Sequence, residues 1–292
     1  MADNSLVERM LYRLVKKHIA GTTMSAAISK AAELNVKKIP VSVMFLSGTI
    51  DTKSKARYIT STYMELIRRL SRLGIKASVH IKAEQLGVLL DNETTVNNLN
   101  DILNTAKKCG IFVWLELPKE KVSFIEELNG TKGYGVAVDE ENAINLIKNK
   151  NFLSPVKILF NDHSNKDEKY VLQDPKIKNK KAKSKNTKKE KNKKAENIKK
   201  ILMSKRNTVI SSPPDSILKE LLSIKNDNKS NFFIEFKFGY SPKKLKKYLK
   251  KNKNITIFVP FGKDWTEFAM NSVPEGYMRF LANSLLSEKN KG

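Results

Sequence analysis

The 292-residue chain contains one cysteine, Cys109, and three histidines. A single cysteine excludes an internal disulfide, and so few scattered metal-binding side chains give no zinc-site spacing, so we predict no metal site. No apolar run reaches the roughly 18 residues of a transmembrane helix, and the N-terminus lacks the apolar core of a signal peptide. We therefore expect a cytoplasmic protein without a transmembrane segment.

Positive charge, by contrast, is abundant, with a net charge of +25 at pH 7. About half of the excess lies in residues 176–206, where 14 Lys and one Arg outnumber two Glu. This stretch is too poor in apolar residues to fold by itself, so we predict a disordered basic insertion at 174–197. It could make weak, salt-sensitive contact with nucleic acid or another acidic surface, although a known nucleic-acid module and interleaved aromatic residues are missing.

Short apolar runs alternate with amphipathic helical patterns along the chain. The eight strand candidates are residues 39–46, 75–82, 111–117, 134–138, 156–160, 208–211, 232–238 and 255–259. In one helical pattern the predicted inward face holds Tyr58, Tyr63, Leu66, Ile67 and Leu70. Repeated strand–helix alternation predicts a parallel sheet, and eight units favour a (β/α)8 TIM-like barrel over a doubly wound sheet.

We predict that residues 1–292 form a single α/β domain of this kind. An extra N-terminal helix at 5–18 would cover the bottom or side of the barrel, and the lysine-rich insertion would separate strands 5 and 6. Working residues in such barrels lie at the carboxyl ends of the strands, where Lys82 and Glu116 are found. We expect His80 to lie on the outer face of the barrel, packed under a helix.

Five segments in order resemble the proline dehydrogenase family. HIAGTTMSAAISKAAELNVKKIPVSVMFL is similar to the family's F-[VI]-A-G-x-T opening and first strand, and SVHIKAEQLGVLLD to S-x-K-x-T-Q-L-G-L-x-x-D. VWLELP stands in place of R-L-D-M-E, while FFIEFKFGYSPKKLKKYLKK and FVPFGKDW resemble E-F-Q-x-L-Y-G and Y-V-P-Y-G-x-D-W. The resemblance implies a distorted barrel that binds FAD. It also implies oxidation of L-proline, or a related cyclic imino acid, to pyrroline-5-carboxylate in proline catabolism, with a quinone or another electron acceptor.

The resemblance also assigns roles to individual residues. Lys82 falls on the family's catalytic lysine, and Glu116 stands where the family has a catalytic-site aspartate. Lys157 replaces an arginine that faces flavin N5, keeping the charge without the forked donor geometry. The implied cofactor-binding residues are Lys157, Asp139, His163 and Glu275.

Substrate-binding positions depart from the family pattern. Asn271 and Ser272 occupy the places of two arginines that clamp the substrate carboxylate, a charge-assisted contact that neutral donors cannot match. Phe258 and Phe268 replace two tyrosines and lack their hydroxyls, and Asp139 replaces a flavin-contacting glutamine. Three hypotheses therefore stand: a divergent FAD-dependent dehydrogenase, a catalytically impaired barrel that acts as a binding or structural protein, and a basic nucleic-acid-associated protein.

Overall fold

The computed structural model describes residues 16, 18–128, 131–149, 152, 154–160, 208–211, 213, 218, 221, 232–237 and 255–264. The predicted basic insertion lies outside these residues, as does nearly all of the predicted helix at 5–18. Within the described residues, no helix has the length and apolar character required to cross a membrane.

Eight parallel strands close into one barrel in sequence order, with β8 paired to β1. The strands are β1 Val41–Phe45, β2 Ala77–Lys82, β3 Phe112–Glu116, β4 Tyr134–Asp139, β5 Val156–Leu159, β6 Thr208–Ser211, β7 Phe232–Lys237 and β8 Ile255–Phe261. The helices described are α1 Met24–Val36, α2 Lys53–Arg72, α3 Ala83–Leu86, α4 Asn92–Cys109 and α5 Glu140–Lys148, with a 3-10 helix, η1 Lys119–Leu128, after β3. The predicted (β/α)8 barrel and its eight strands are confirmed.

The two faces of the strands differ in chemistry. Val43, Val79 and Val113 are register partners on β1 to β3, and all three belong to the apolar core between barrel and helices. Because strand side chains alternate between faces, the positions between them face the barrel interior. The interior-facing residues used below are Ser42, His80, Trp114, Glu116, Lys157, Ser211, Glu235 and Phe258.

Helix α2 shows why one predicted core position is wrong. Thr52 caps its N-terminus by accepting from the Lys55 amide at 3.2 Å, and Tyr63 and Leu70 are fully buried as predicted. Tyr58, however, is 67% exposed. It lies five residues before Tyr63, which at 3.6 residues per turn places it about 140° away around the helix.

The end of β8 passes very close to β1. The strand continues through Pro260 to Phe261, although the sequence predicted an end at residue 259. The Pro260 carbonyl accepts from the Ala20 amide at 2.8 Å. Gly262 follows at φ +143°, and a Cβ there would lie 2.2 Å from the Leu46 carbonyl oxygen. Only glycine therefore lets the chain leave β8 over the end of β1.

Candidate active site

Lys82 and Glu116 stand side by side at the mouth of the barrel. They are the last residues of β2 and β3 and are register partners. The Lys82 amide donates to Gln85 Oε1 at 3.1 Å. The amide group of Gln85 in turn donates to the Phe45 carbonyl at 2.7 Å and to Ser47 Oγ at 2.9 Å. Gln85 thus links the ends of β1 and β2 and fixes the backbone at Lys82.

Glu116 presents a carboxylate at this mouth. Its side chain is 26% exposed, and Oε2 lies 2.6 Å from His80 Nε2. Burial alone would raise the pKa of Glu116, but the hydrogen bond to His80 and the charges of Lys82 and Lys157 outweigh it. The pKa of Glu116 is therefore held below its ordinary value, and the group is ionised at neutral pH.

His80 lies inside the barrel, and the prediction that it faces outward is wrong. The residue is 1% exposed, and its ring packs against the Phe258 ring at a centroid distance of 5.4 Å and places Nδ1 3.2 Å from Lys157 Nζ. The signal was available in the sequence, because residues two apart on a strand share a face and Lys82 was expected to face the mouth.

Lys157 is fully buried within the barrel and ion-paired to Glu235. Its Nζ lies 2.8 Å from Glu235 Oε2, 3.3 Å from Ser42 Oγ and 4.9 Å from the centroid of the Trp114 ring. Glu235 Oε1 also accepts from Ser211 Oγ at 2.9 Å. Burial lowers the pKa of Lys157, and the charge and hydrogen bond of Glu235 oppose that shift.

Two further acids, at or just beyond strand ends, accept hydrogen bonds from backbone amides. Asp139, the N-cap of α5, accepts from the Asn142 amide at 2.9 Å and from its side chain at 2.8 Å. Asp264, in the segment FVPFGKDW, accepts from the Gly48 amide at 2.8 Å and so joins the loops after β8 and β1.

The structure therefore brings Lys82, Glu116, Lys157 and Phe258 into one barrel, with Asp139 at the end of β4. Their catalytic, substrate-binding and cofactor-binding roles stay predictions. The other predicted site residues, which lie outside the described part of the chain, are His163, Phe268, Asn271, Ser272 and Glu275. Within the described ranges, no cluster of three or more His, Cys, Asp or Glu side chains is placed to hold a metal ion.

The curated relatives that match the chain are named as proline dehydrogenases. Proline dehydrogenase 1 of Bacillus subtilis (strain 168) is 19% identical over 263 residues, which is 89% of this chain and 86% of that protein. Proline dehydrogenase 2 of Bacillus subtilis subsp. natto is 23% identical over 283 residues, covering 89% and 85%. The chain is thus similar to proline dehydrogenases over most of its length, at low sequence identity. No family model matches it.

Solved structures similar to this chain agree with it in fold. Proline utilization A from Bdellovibrio bacteriovorus, inactivated by N-propargylglycine, gives a TM-score of 0.67 at 13% identity over 89% of this chain. A mutant proline utilization A from Bradyrhizobium japonicum gives a TM-score of 0.64 at 14% identity over 90%. The chain spans 32% and 30% of those two longer chains.

Proposed function

We propose that this protein is a flavin-dependent oxidoreductase that oxidises a carbon–nitrogen bond of L-proline or a related cyclic imino acid. The pairing of Lys82 with Glu116 at the ends of β2 and β3 carries the proposal. An ionised Glu116 can take the proton of the substrate nitrogen, and Lys82 supplies positive charge beside substrate and cofactor. The relatives named proline dehydrogenase support this type of reaction.

Among the described residues, one position carries a charge that suits bound FAD. A bound FAD would accept the hydride that leaves the substrate carbon, with a quinone or another acceptor reoxidising it. Lys82 at the mouth suits the negative charge of the reduced cofactor. Lys157 can act on it only by its charge from within the barrel, because its ammonium already contacts Glu235, His80 and Ser42. Asp139, whose oxygens contact Asn142, offers no donor.

Substrate selection follows from the charges that this chain keeps and loses. Asn271 and Ser272 replace the arginine pair that the family uses for the substrate carboxylate, whereas Glu116 is kept as an acid. The strongest charged contact for a cyclic imino acid is then with its nitrogen. We therefore expect pyrrolidine-like amines to compete with proline more effectively than they do in an enzyme with the arginine pair.

Flavin titration and turnover test the proposal together. The purified protein should gain a flavin absorbance band with FAD and reduce an artificial electron acceptor when L-proline or a cyclic amine is supplied. Glu116→Gln should lower kcat roughly 100-fold or more by removing the proton acceptor, whereas Glu120→Gln, an exposed acid on η1, should change nothing. Failure to bind FAD would overturn the proposal. Asn271→Arg combined with Ser272→Arg should lower the KM for proline.

A family barrel without catalysis, acting as a binding or structural protein, is the second candidate. The engagement of Lys157 and Asp139 by neighbouring protein groups favours it, because both stand at positions that contact flavin in the family. Flavin binding without turnover of any cyclic amine would support this candidate. Nucleic-acid contact through residues 174–197 stays a prediction, since that segment lies outside the described residues.

A further inference from the structure

Four ionisable side chains form a continuous hydrogen-bonded chain across the barrel interior. Glu116 from β3 contacts His80 from β2 at 2.6 Å, and His80 contacts Lys157 from β5 at 3.2 Å. Lys157 then contacts Glu235 from β7 at 2.8 Å. Only Glu116 reaches the mouth, with 26% of its side chain exposed, while Lys157 and Glu235 are 0% and 1% exposed. His80, Lys157 and Glu235 therefore influence the barrel mouth through their hydrogen-bonded connection to Glu116.

Lys157 decides which ring nitrogen of His80 carries the proton. An ammonium has three N–H donors and no acceptor. The three polar groups around Lys157 Nζ are Glu235 Oε2, His80 Nδ1 and Ser42 Oγ, one for each donor. Nδ1 must therefore accept, so a neutral His80 ring carries its hydrogen on Nε2 and donates it to Glu116 Oε2.

The surroundings of His80 keep the ring neutral. Burial lowers its pKa, and so does the charge of Lys157, while Glu116 and Glu235 partly oppose them. Lys82, two residues further along β2, adds positive charge beside Glu116, and β8 contributes the uncharged Phe258. A neutral His80 is consistent with the donor pattern set by Lys157.

We propose that His80 is a positioning residue that holds the Glu116 carboxylate at the barrel mouth as the acceptor of the substrate nitrogen's proton. The proposal rests on the proposed function for the identity of that proton. As the C=N bond forms, the proton would move from nitrogen to Glu116, while a flavin, when bound, would supply the acceptor for the hydride of the neighbouring carbon. His80 loses no proton in this step, because its Nε2–H only orients and stabilises the acceptor.

Ring tautomerism tests the structural half of the proposal without flavin or substrate. The chain has three histidines, so the 15N-labelled ring signals that disappear in His80→Gln belong to His80. We expect a deprotonated Nδ1 and a protonated Nε2 in the wild-type protein, unchanged from pH 8 to well below the ordinary histidine pKa of about 6.5. An Nδ1–H tautomer, a mixture, or a charged ring at neutral pH would overturn the proposal.

Kinetics of two variants test the functional half. Glutamine at residue 80 can accept from Lys157 with its oxygen and donate to Glu116 with its nitrogen, whereas leucine can do neither. His80→Leu should lower kcat roughly 10-fold or more with little change in KM, and the acid limb of its kcat/KM profile should move to higher pH. His80→Gln should retain most of the activity and the original acid limb.

The outcomes separate this proposal from the proposed function. Equal pH profiles for His80→Leu and the wild type would overturn the positioning role even if the enzyme is active. If the wild type oxidises no cyclic amine, the proposed function fails, and the histidine tautomer still decides whether Glu116 is held as described. If His80→Leu does not fold, the wild-type tautomer and the pH profile of His80→Gln decide.

Discussion

Replacement of Lys157 by methionine is the sharpest test of the barrel interior. The change removes the ammonium and leaves Glu235, which is 1% exposed, with Ser211 as its remaining side-chain hydrogen-bond partner among the described residues. Breaking a buried ion pair from one side costs about 3–5 kcal/mol, because the remaining charge is desolvated without a counter-charge. We expect Lys157→Met to lower the free energy of unfolding by that amount.

A double variant separates the contribution of the ion pair from the rest of this loss in unfolding free energy. Lys157→Met combined with Glu235→Gln leaves no charge in need of a partner, so it should be more stable than Lys157→Met alone. The matched surface control is Lys119→Met, whose partner Glu141 lies at 3.5 Å with side chains 66% and 75% exposed. That change should cost no more than about 1 kcal/mol.

Urea unfolding followed by circular dichroism measures all three variants against the wild type. A loss below about 1 kcal/mol for Lys157→Met would refute the reasoning, since a buried charge cannot be left alone so cheaply. A double variant no more stable than Lys157→Met would show that the loss comes from packing around the lysine stem rather than from the charge on Glu235.

Three further predictions concern single positions. Because burial lowers the pKa of His80, the unfolded chain takes up a proton below about pH 6.5 that the folded protein does not. The unfolding free energy should therefore fall with decreasing pH by up to about 1.4 kcal/mol per unit, and His80→Gln should lose that slope in urea titrations. Gly262→Ala should cost roughly 3 kcal/mol or more through its clash with the Leu46 carbonyl, whereas Gly74→Ala, at φ +62° in open space, should cost about 1 kcal/mol in the same assay. Asp139→Ala should lower Tm by removing the cap of α5, worth about 1 kcal/mol, and Asp139→Asn should not.

The barrel could be predicted from the sequence because each of its strands is a short apolar run between helical patterns. The run at 111–117, for example, contains the observed strand Phe112–Glu116. The end of β8 could not be predicted, because proline ordinarily interrupts a strand. Pro260 lacks only the N–H donor, and β8 continues through it because Phe261 still pairs with β1, a contact between residues far apart in the chain.

Within the site, proximity at the mouth was predictable and the internal pairing was not. Strand ends in a parallel barrel meet on one side, which brings Lys82 and Glu116 together from sequence alone. Whether Lys157 pairs with Glu235 depends on which interior side chains reach across the closed barrel, and no local pattern encodes that distance. The spacing between His80 and Lys82 indicates that His80 faces the barrel interior. A histidine between apolar residues is equally compatible with a position in the core between barrel and helices.

Stability alone does not explain why this barrel encloses an ion pair. Moving two charges out of water costs several kcal/mol per ion, and apolar residues of similar size would serve a barrel interior at least as well. The Lys157–Glu235 pair is instead explained by the effect of Lys157 on His80, whose Nδ1 also contacts the lysine ammonium. A hydroxyl or an amide facing Nδ1 could either donate or accept, whereas an ammonium held by Glu235 can only donate. The ion pair, despite its cost in stability, thus fixes one His80 tautomer. That tautomer in turn sets the direction of the hydrogen bond that Glu116 receives.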